Sequence, residues 1–212
     1  MKFKLFSIGA LVSAMLFASF TAGPNESIAI GTEIPMMKMK LSNSIGGIAS
    51  LEDLKKENGL LVIFSCNTCP FVIGGGSDSE GWEGRYADLY KNAEKRNIGM
   101  VLINSNEARR TEGDSFDDMK KHAKAAGYDN IPYLLDNNHV IADAFGAKTT
   151  PHVFLFDGDK KLIYKGAIDD NMKSAEAVTE TWLLNAIKSC PTGTEFSPNE
   201  TKATGCSIKR VN

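Results

Sequence analysis

Cysteine is scarce in this 212-residue chain, which holds four, at positions 66, 69, 190 and 206. That low density excludes a small scaffold held together by disulfides, and a chain of this length can bury a core without them. An excess of one charge is lacking too, because 24 Lys and Arg stand against 26 Asp and Glu. Without a basic stripe, we expect no nucleic-acid partner.

Metal ligands are also few. The pair Cys66-x-x-Cys69 has no second Cys-x-x-Cys and no histidine pair at the spacing of a zinc site. A cytochrome attachment site needs histidine directly after the second cysteine, and Pro70 stands there. We therefore expect neither a metal nor a cofactor.

Residues 1–23 have the pattern of a signal peptide. Lys2 and Lys4 precede a charge-free, mostly apolar run over residues 5–20, and small residues occupy positions 21–23. The run is short for a membrane-spanning helix, which needs about 20 residues, so an uncleaved anchor is the weaker alternative. We expect a periplasmic or secreted protein that meets the membrane only during export.

The rest of the chain alternates between strand and helix patterns. Strands are predicted at residues 60–64, 98–103, 131–135, 152–156 and 162–165, and helices near 51–58, 82–93, 116–126, 140–145 and 175–188. Asp157-Gly158 predicts a closing hairpin. This order favours an α/β fold with one central mixed sheet flanked by helices. We expect a domain over residues 30–188 that opens with a hairpin extension, and a polar tail over residues 189–212.

The pair Cys66 and Cys69 follows the continuous apolar run at 60–64, which is typical of a strand buried on both faces. A cysteine at the start of the next helix would have its thiolate stabilised by unpaired amides. We expect Cys66 to take that exposed position and to be the more acidic thiol, with Cys69 one turn further in. Cys66 would attack a disulfide, and Cys69 would resolve the mixed disulfide.

Residues 64–71, Phe-Ser-Cys-Asn-Thr-Cys-Pro-Phe, resemble the active-site stretch of thioredoxin-like proteins. The similarity is to their peroxiredoxin-like branch (AhpC/TSA, redoxin), which carries a Cys-Asn-x-Cys-Pro motif. It continues at residues 103–106, 131–134, 146–157, 164–170 and 205–209, so that it covers about residues 30–210. The resemblance implies a thioredoxin fold, with Pro151 in the cis form against the active-site disulfide. It also implies that Thr150 offers its backbone to an extended substrate.

The sequence departs from peroxiredoxins in one motif. They use Pro-x-x-x-Thr-x-x-Cys, and if Cys69 were the peroxidatic residue, Val62 and Cys66 would stand at the proline and threonine places. We therefore predict an exported thiol–disulfide oxidoreductase whose partner is a protein or small-molecule thiol or disulfide. A thiol peroxidase with antioxidant activity, acting on peroxide, is the alternative. A non-catalytic binding module with a structural disulfide is the second alternative.

Residues outside the motif have less definite roles. Cys190 and Cys206 are expected to form a structural disulfide with each other, and the alternative is that Cys206 resolves an active-site thiol. His152 would lie near the sulfurs if Pro151 packs on them, as a pocket wall rather than a general base. Arg109 and Arg110 are expected to be solvated, as is the loop at residues 169–171.

Overall fold

A seven-stranded mixed sheet with the strand order β2-β1-β5-β4-β3-β7-β8 forms the centre of the molecule. The computed structural model describes residues 26–76 and 79–211, so the predicted signal peptide lies outside the described residues. The strands are β1 (Leu41–Asn43), β2 (Ile48–Ala49), β3 (Gly59–Phe64), β4 (Gly99–Asn104), β5 (Tyr133–Leu135), β6 (Thr149–Thr150), β7 (His152–Asp157), β8 (Leu162–Gly166) and β9 (Cys206–Ser207). The helices are α1 (Leu51–Leu54), α2 (Pro70–Ile73), α3 (Tyr86–Glu94), α4 (Phe116–Ala125), α5 (Val140–Phe145) and α6 (Trp182–Ser189). The predicted α/β fold with a mixed central sheet is confirmed.

Strand β3 is an inner strand of the sheet. It pairs parallel with β4 and antiparallel with β7. All six of its residues are buried, and successive side chains point to opposite faces. Leu61 and Ile63 therefore pack in the layer that contains α3 and α6. Leu60, Val62 and Phe64 pack in the layer that contains α5. Burial on both faces explains the uninterrupted apolar run. The strand ends at Phe64, and the chain leaves the sheet at Ser65.

Three helices differ from their predicted bounds. Helix α3 begins at Tyr86 instead of near residue 82, because residues Glu83–Arg85 form a 3₁₀ turn. The capping box of Ser50 and Asp53 is present, but α1 ends at Leu54 because Lys55 is extended. Helix α6 begins at Trp182 instead of near residue 175. The segment before it is held as a loop by Asp170, whose carboxylate accepts hydrogen bonds from the backbone N–H groups of Thr179 and Glu180.

The C-terminal tail returns to the sheet. Thr201 lies beside β8, where its hydroxyl accepts a hydrogen bond from the Ala167 N–H. The tail then forms β9, which pairs antiparallel with β6, and Ile208 is buried in the α5 layer. In the part of the chain that the structure describes, no helix has the length and apolar character needed to cross a membrane.

Candidate active site

The two cysteines of the motif lie in the turn between β3 and α2, and neither is exposed. Cys66 is 0% and Cys69 is 2% exposed. Helix α2 begins at Pro70, so Cys69 is its N-cap residue and Cys66 precedes the helix altogether. The expectation that Cys66 takes an exposed position at the helix start is wrong. Proline favours the first position of a helix and forces the residue before it into extended backbone, which is the conformation of Cys69 (φ −90°, ψ 122°).

Thr150 contacts both sulfurs. Its hydroxyl oxygen lies 3.1 Å from the Cys66 sulfur, and its carbonyl oxygen accepts a hydrogen bond of 3.1 Å from the Cys69 thiol. The Thr150–Pro151 peptide bond is cis, as the resemblance implied. The end of β3 and the start of β7 thus bring Cys66, Cys69 and Thr150 together.

The surroundings of the two thiols give them different pKa values. The pKa of Cys69 is lowered to about 5, first because the Cys66 thiol donates a hydrogen bond to it, and also because the thiol and backbone N–H of Cys206 donate. The pKa of Cys66 is raised well above its ordinary value by that same hydrogen bond, by burial and by the nearby charge of Asp114. Cys69 is therefore the more acidic thiol, which reverses the order expected from the sequence.

Asp114 is a buried carboxylate that sequence reasoning missed. Its Oδ1 accepts hydrogen bonds from the backbone N–H of Asn67 (2.7 Å) and from the side-chain amide of Asn104 (2.8 Å). Its Oδ2 accepts from the Thr68 hydroxyl (2.8 Å) and the Asn106 amide (3.1 Å). Four donors hold the carboxylate against the turn between the cysteines, so Asp114 fixes the shape of that turn.

Arg110 supports this arrangement from the other side. Its guanidinium donates hydrogen bonds to the Asn104 side chain and to the backbone carbonyls of Asp114 and Asp136. Its side chain is only 16% exposed, so the expectation of a solvated Arg110 is wrong. The expectation for residues 169–171 is wrong in part, because Asp169 is buried and accepts a hydrogen bond of 2.6 Å from the indole N–H of Trp82.

The tail brings a third cysteine to the pair. Cys206 lies opposite Thr150 in the β6–β9 ladder, and its thiol and N–H both contact the Cys69 sulfur. The Cys190 thiol instead donates to the carbonyl of Asn58, just before the first residue of β3. Cys206 lies near the end of β3 and Cys190 near its start. The six residues of the strand separate them, which at about 3.3 Å per residue is roughly 20 Å. The predicted Cys190–Cys206 disulfide is therefore wrong, and none of the four cysteines is in a disulfide in this structure.

His152 is not brought to the sulfurs. It is 4% exposed, its ring lies 4.5 Å from that of Phe154, and its Nδ1 accepts a hydrogen bond from the Lys148 N–H. Burial, together with the charges of Lys165 and Lys148, lowers its pKa to about 3. His152 is therefore a neutral wall residue at the start of β7, and its side chain points away from the redox pair.

A mixed sheet flanked by helices, with two cysteines after a central strand and a cis-proline directly after the threonine that contacts them, defines a thioredoxin-like protein. The AhpC/TSA family matches residues 30–165, and the chain belongs to this family. Membership of the family and the site together point to a thiol-based oxidoreductase or peroxidase. No protein of curated function matches the chain significantly.

Solved structures have the same fold. An uncharacterized conserved protein of Geobacillus kaustophilus is 33% identical, with a TM-score of 0.74 over 85% of this chain and 92% of that one. A hypothetical protein of Sinorhizobium meliloti is 29% identical, with a TM-score of 0.76 over 88% of this chain and 97% of that one. The peroxidoxin BcpB of Mycobacterium tuberculosis is 16% identical, with a TM-score of 0.53 over 79% of this chain and 98% of that one. At that identity the likeness to BcpB concerns the fold alone.

Proposed function

We propose that this protein is an exported thiol–disulfide oxidoreductase whose reacting groups are Cys66 and Cys69. One observation carries the proposal: both sulfurs lie at the end of β3, and both contact Thr150 next to the cis-proline. Two thiols in contact, one of them with a lowered pKa, are what disulfide exchange requires. Neither a metal nor a cofactor takes part in this chemistry.

Cys69 is the attacking sulfur in this proposal, because the hydrogen bonds that it receives from Cys66 and Cys206 lower its pKa and favour its thiolate. The thiolate attacks one sulfur of a substrate disulfide, forms a mixed disulfide and releases the other substrate sulfur as a thiolate. Cys66 can then attack the Cys69 sulfur, which breaks the mixed disulfide and frees the second substrate thiol. The substrate gains two electrons, and the protein is left with a Cys66–Cys69 disulfide.

The substrate is a polypeptide or small-molecule disulfide that reaches Cys69 at the Thr150 edge. An extended chain could pair with the backbone of Thr150, with Pro151 as the wall beside it. Strand β9 occupies that edge in this structure, and Cys69 is 2% exposed. A substrate strand must therefore displace β9 before its disulfide can meet the Cys69 sulfur.

The test is the reduction of insulin by dithiothreitol, with single serine variants. Cys69→Ser should abolish the acceleration because the attacking sulfur is lost. Cys190→Ser is the matched control, since Cys190 lies at the far end of β3, and it should retain full activity. Activity that survives Cys69→Ser would contradict the assignment of the attacking sulfur. A wild-type protein that accelerates nothing would contradict the proposed function itself.

Thiol peroxidase activity is the second candidate, and the lowered pKa of Cys69 favours it. A peroxide oxygen would accept attack by the Cys69 thiolate, giving a sulfenic acid and an alcohol or water, and a second thiol would condense with the sulfenic acid. Consumption of hydrogen peroxide with dithiothreitol as the recycling thiol tests it. A binding module would show neither insulin reduction nor peroxide consumption.

Export rests on the pattern of residues 1–23. Lys2 and Lys4, the apolar run and the small residues at positions 21–23 are those of a cleaved leader. N-terminal sequencing of the protein from its native host should find a mature start after residue 22 or 23. A chain that still begins at Met1 would contradict export by this route.

A further inference from the structure

We propose that Cys206 is a third redox thiol of this site, which resolves Cys69 by forming a Cys69–Cys206 disulfide. This inference deepens the proposed function and rests on it. It follows from the position of β9, whose first residue faces Thr150 across the ladder while its sulfur contacts Cys69. Cys69 therefore contacts two other cysteines, Cys66 and Cys206.

The two neighbours of Cys69 differ in access to solvent. Cys66 is fully buried, whereas Cys206 is partly exposed. The backbone N–H of Phe71 donates a hydrogen bond to the Cys206 sulfur. Because Cys206 reaches both the Cys69 sulfur and the surface, it is the residue through which a solvent-borne thiol can exchange with the buried pair.

Contacts on both sides hold Cys206 in register. Before it, the Thr201 hydroxyl accepts a hydrogen bond from the Ala167 N–H. After it, the Ile208 N–H donates to the Lys148 carbonyl, and the Lys209 N–H donates to Asn106 at 2.9 Å. Gly205 allows the close approach to Thr150, because a Cβ at position 205 would collide with the Thr150 carbonyl oxygen. Hydrogen bonds on both sides of Cys206 thus hold its thiol against Cys69.

The reactivity of Cys206 depends on the state of Cys69. In the reduced site, burial and the hydrogen bond that Cys206 donates to Cys69 raise the pKa of Cys206 to about 11. Once Cys69 is in a mixed disulfide, its sulfur no longer carries the charge that held that proton. The Phe71 N–H and Lys209 then remain to favour a Cys206 thiolate. Cys66 keeps its burial and the charge of Asp114, which both oppose its thiolate. Together with the position of Cys206 opposite Thr150 and its partial exposure, these differences make Cys206 the better resolving thiol.

The step balances without an outside oxidant. Cys69 has attacked a substrate disulfide and is joined to one substrate sulfur. As β9 returns to the Thr150 edge, the Cys206 thiolate attacks the Cys69 sulfur, the bond to the substrate breaks, and the substrate thiolate takes a proton from solvent. The substrate disulfide has been reduced by two electrons, and Cys69 and Cys206 have been oxidised by two.

The experiment uses oxidised glutathione and the Cys66→Ser/Cys190→Ser variant, which keeps only Cys69 and Cys206. We expect two molecules of reduced glutathione to be released per chain, and peptide mapping without reductant to find Cys69 joined to Cys206. The matched control adds Cys206→Ser, and it should release one molecule and retain glutathione on Cys69. Stable glutathionylation of Cys69 in the two-thiol variant would overturn the proposal.

A second measurement avoids any change in the buried Cys66. With Cys206→Ser alone, we expect the glutathione adduct of Cys69 to persist about tenfold longer than in the wild type, because a thiol held in contact is lost. An unchanged lifetime would overturn the role of Cys206. The Cys190→Ser/Cys206→Ser variant separates the two proposals: if it forms a Cys66–Cys69 disulfide and reduces insulin, the proposed function holds whatever the role of Cys206.

Discussion

The carboxylate of Asp114 accepts a hydrogen bond of 2.7 Å from the backbone N–H of Asn67, the residue after Cys66. This contact links the turn between the cysteines to the segment before α4, across 47 positions of sequence. The same carboxylate supplies the charge that opposes ionisation of Cys66. Asp114 therefore shapes the turn, and it adds to the effects of Cys69 and of burial in raising the pKa of Cys66.

Asp114→Asn should weaken both effects. An amide has one acceptor oxygen for four buried donors, so we expect the free energy of unfolding to fall by about 2 kcal/mol. The pKa of Cys66 should fall as well, because a negative charge beside it is removed. Chemical denaturation and cysteine alkylation against pH measure the two effects. Asp117→Asn is the matched control: Asp117 is exposed and pairs with the exposed Lys120, so its loss should cost less than about 0.5 kcal/mol. Equal costs for the two variants would contradict the role of Asp114.

The lowered pKa of Cys69 predicts how the stability of the reduced protein depends on pH. The pKa of the Cys69 thiol is lowered to about 5 in the folded chain, against about 8.5 for an unperturbed cysteine. The folded state therefore releases this proton first, and its stabilisation grows as the pH rises from about 5 to about 8.5 and is lost as the pH falls through 5. The Cys190→Ser variant should therefore have a larger free energy of unfolding than the Cys69→Ser/Cys190→Ser variant. This difference should be larger at pH 8 than at pH 5.5. A pH-independent difference in denaturation midpoint would contradict the lowered pKa.

His152 should stay neutral throughout the physiological range, because its pKa is lowered to about 3. We expect its ring proton resonances to be unchanged between pH 5 and pH 8. His122 is the internal control, since its hydrogen bond to Glu83 raises its pKa above the ordinary value, and its resonances should titrate. A midpoint near 6 or 7 for His152 would restore it as a candidate general base.

Gly205→Ala tests the docking of the tail. A methyl group at this position meets the Thr150 carbonyl oxygen, so we expect β9 to shift, with a loss of stability of about 1–3 kcal/mol. Formation of the Cys69–Cys206 disulfide should slow in parallel. Gly84→Ala is the matched control, because open space surrounds that position, and it should be neutral or slightly stabilising. If both variants behave alike, the close approach at Gly205 has no energetic importance.

The sequence was sufficient where the signal was local. The apolar run predicted β3, the capping box predicted the start of α1, and the Asp157-Gly158 pair predicted the hairpin between β7 and β8. The resemblance correctly implied the cis bond at Pro151. Each of these features depends on neighbours in the chain or on a motif of fixed spacing.

The errors arose where distant segments meet. Asp114 has no motif of its own, since it only precedes the capping box at Ser115, and its importance appears when Asn67 and Thr68 fold against it. The position of Cys206 depends on the antiparallel register of β6 and β9, which no local pattern reveals. The helix start was the exception, because Pro70 already favoured Cys69 as the N-cap residue.

The meeting of three sulfurs around Thr150 has a consequence of parity. A disulfide uses two sulfurs, so within one chain an oxidised site always retains one unpaired thiol among Cys66, Cys69 and Cys206. Cys190 cannot complete a second pair, because it lies at the opposite end of β3. Because the number of thiols is odd, disulfide formation within the chain cannot oxidise all three. The remaining thiol always lies beside the disulfide, where it can attack that bond by thiol–disulfide exchange.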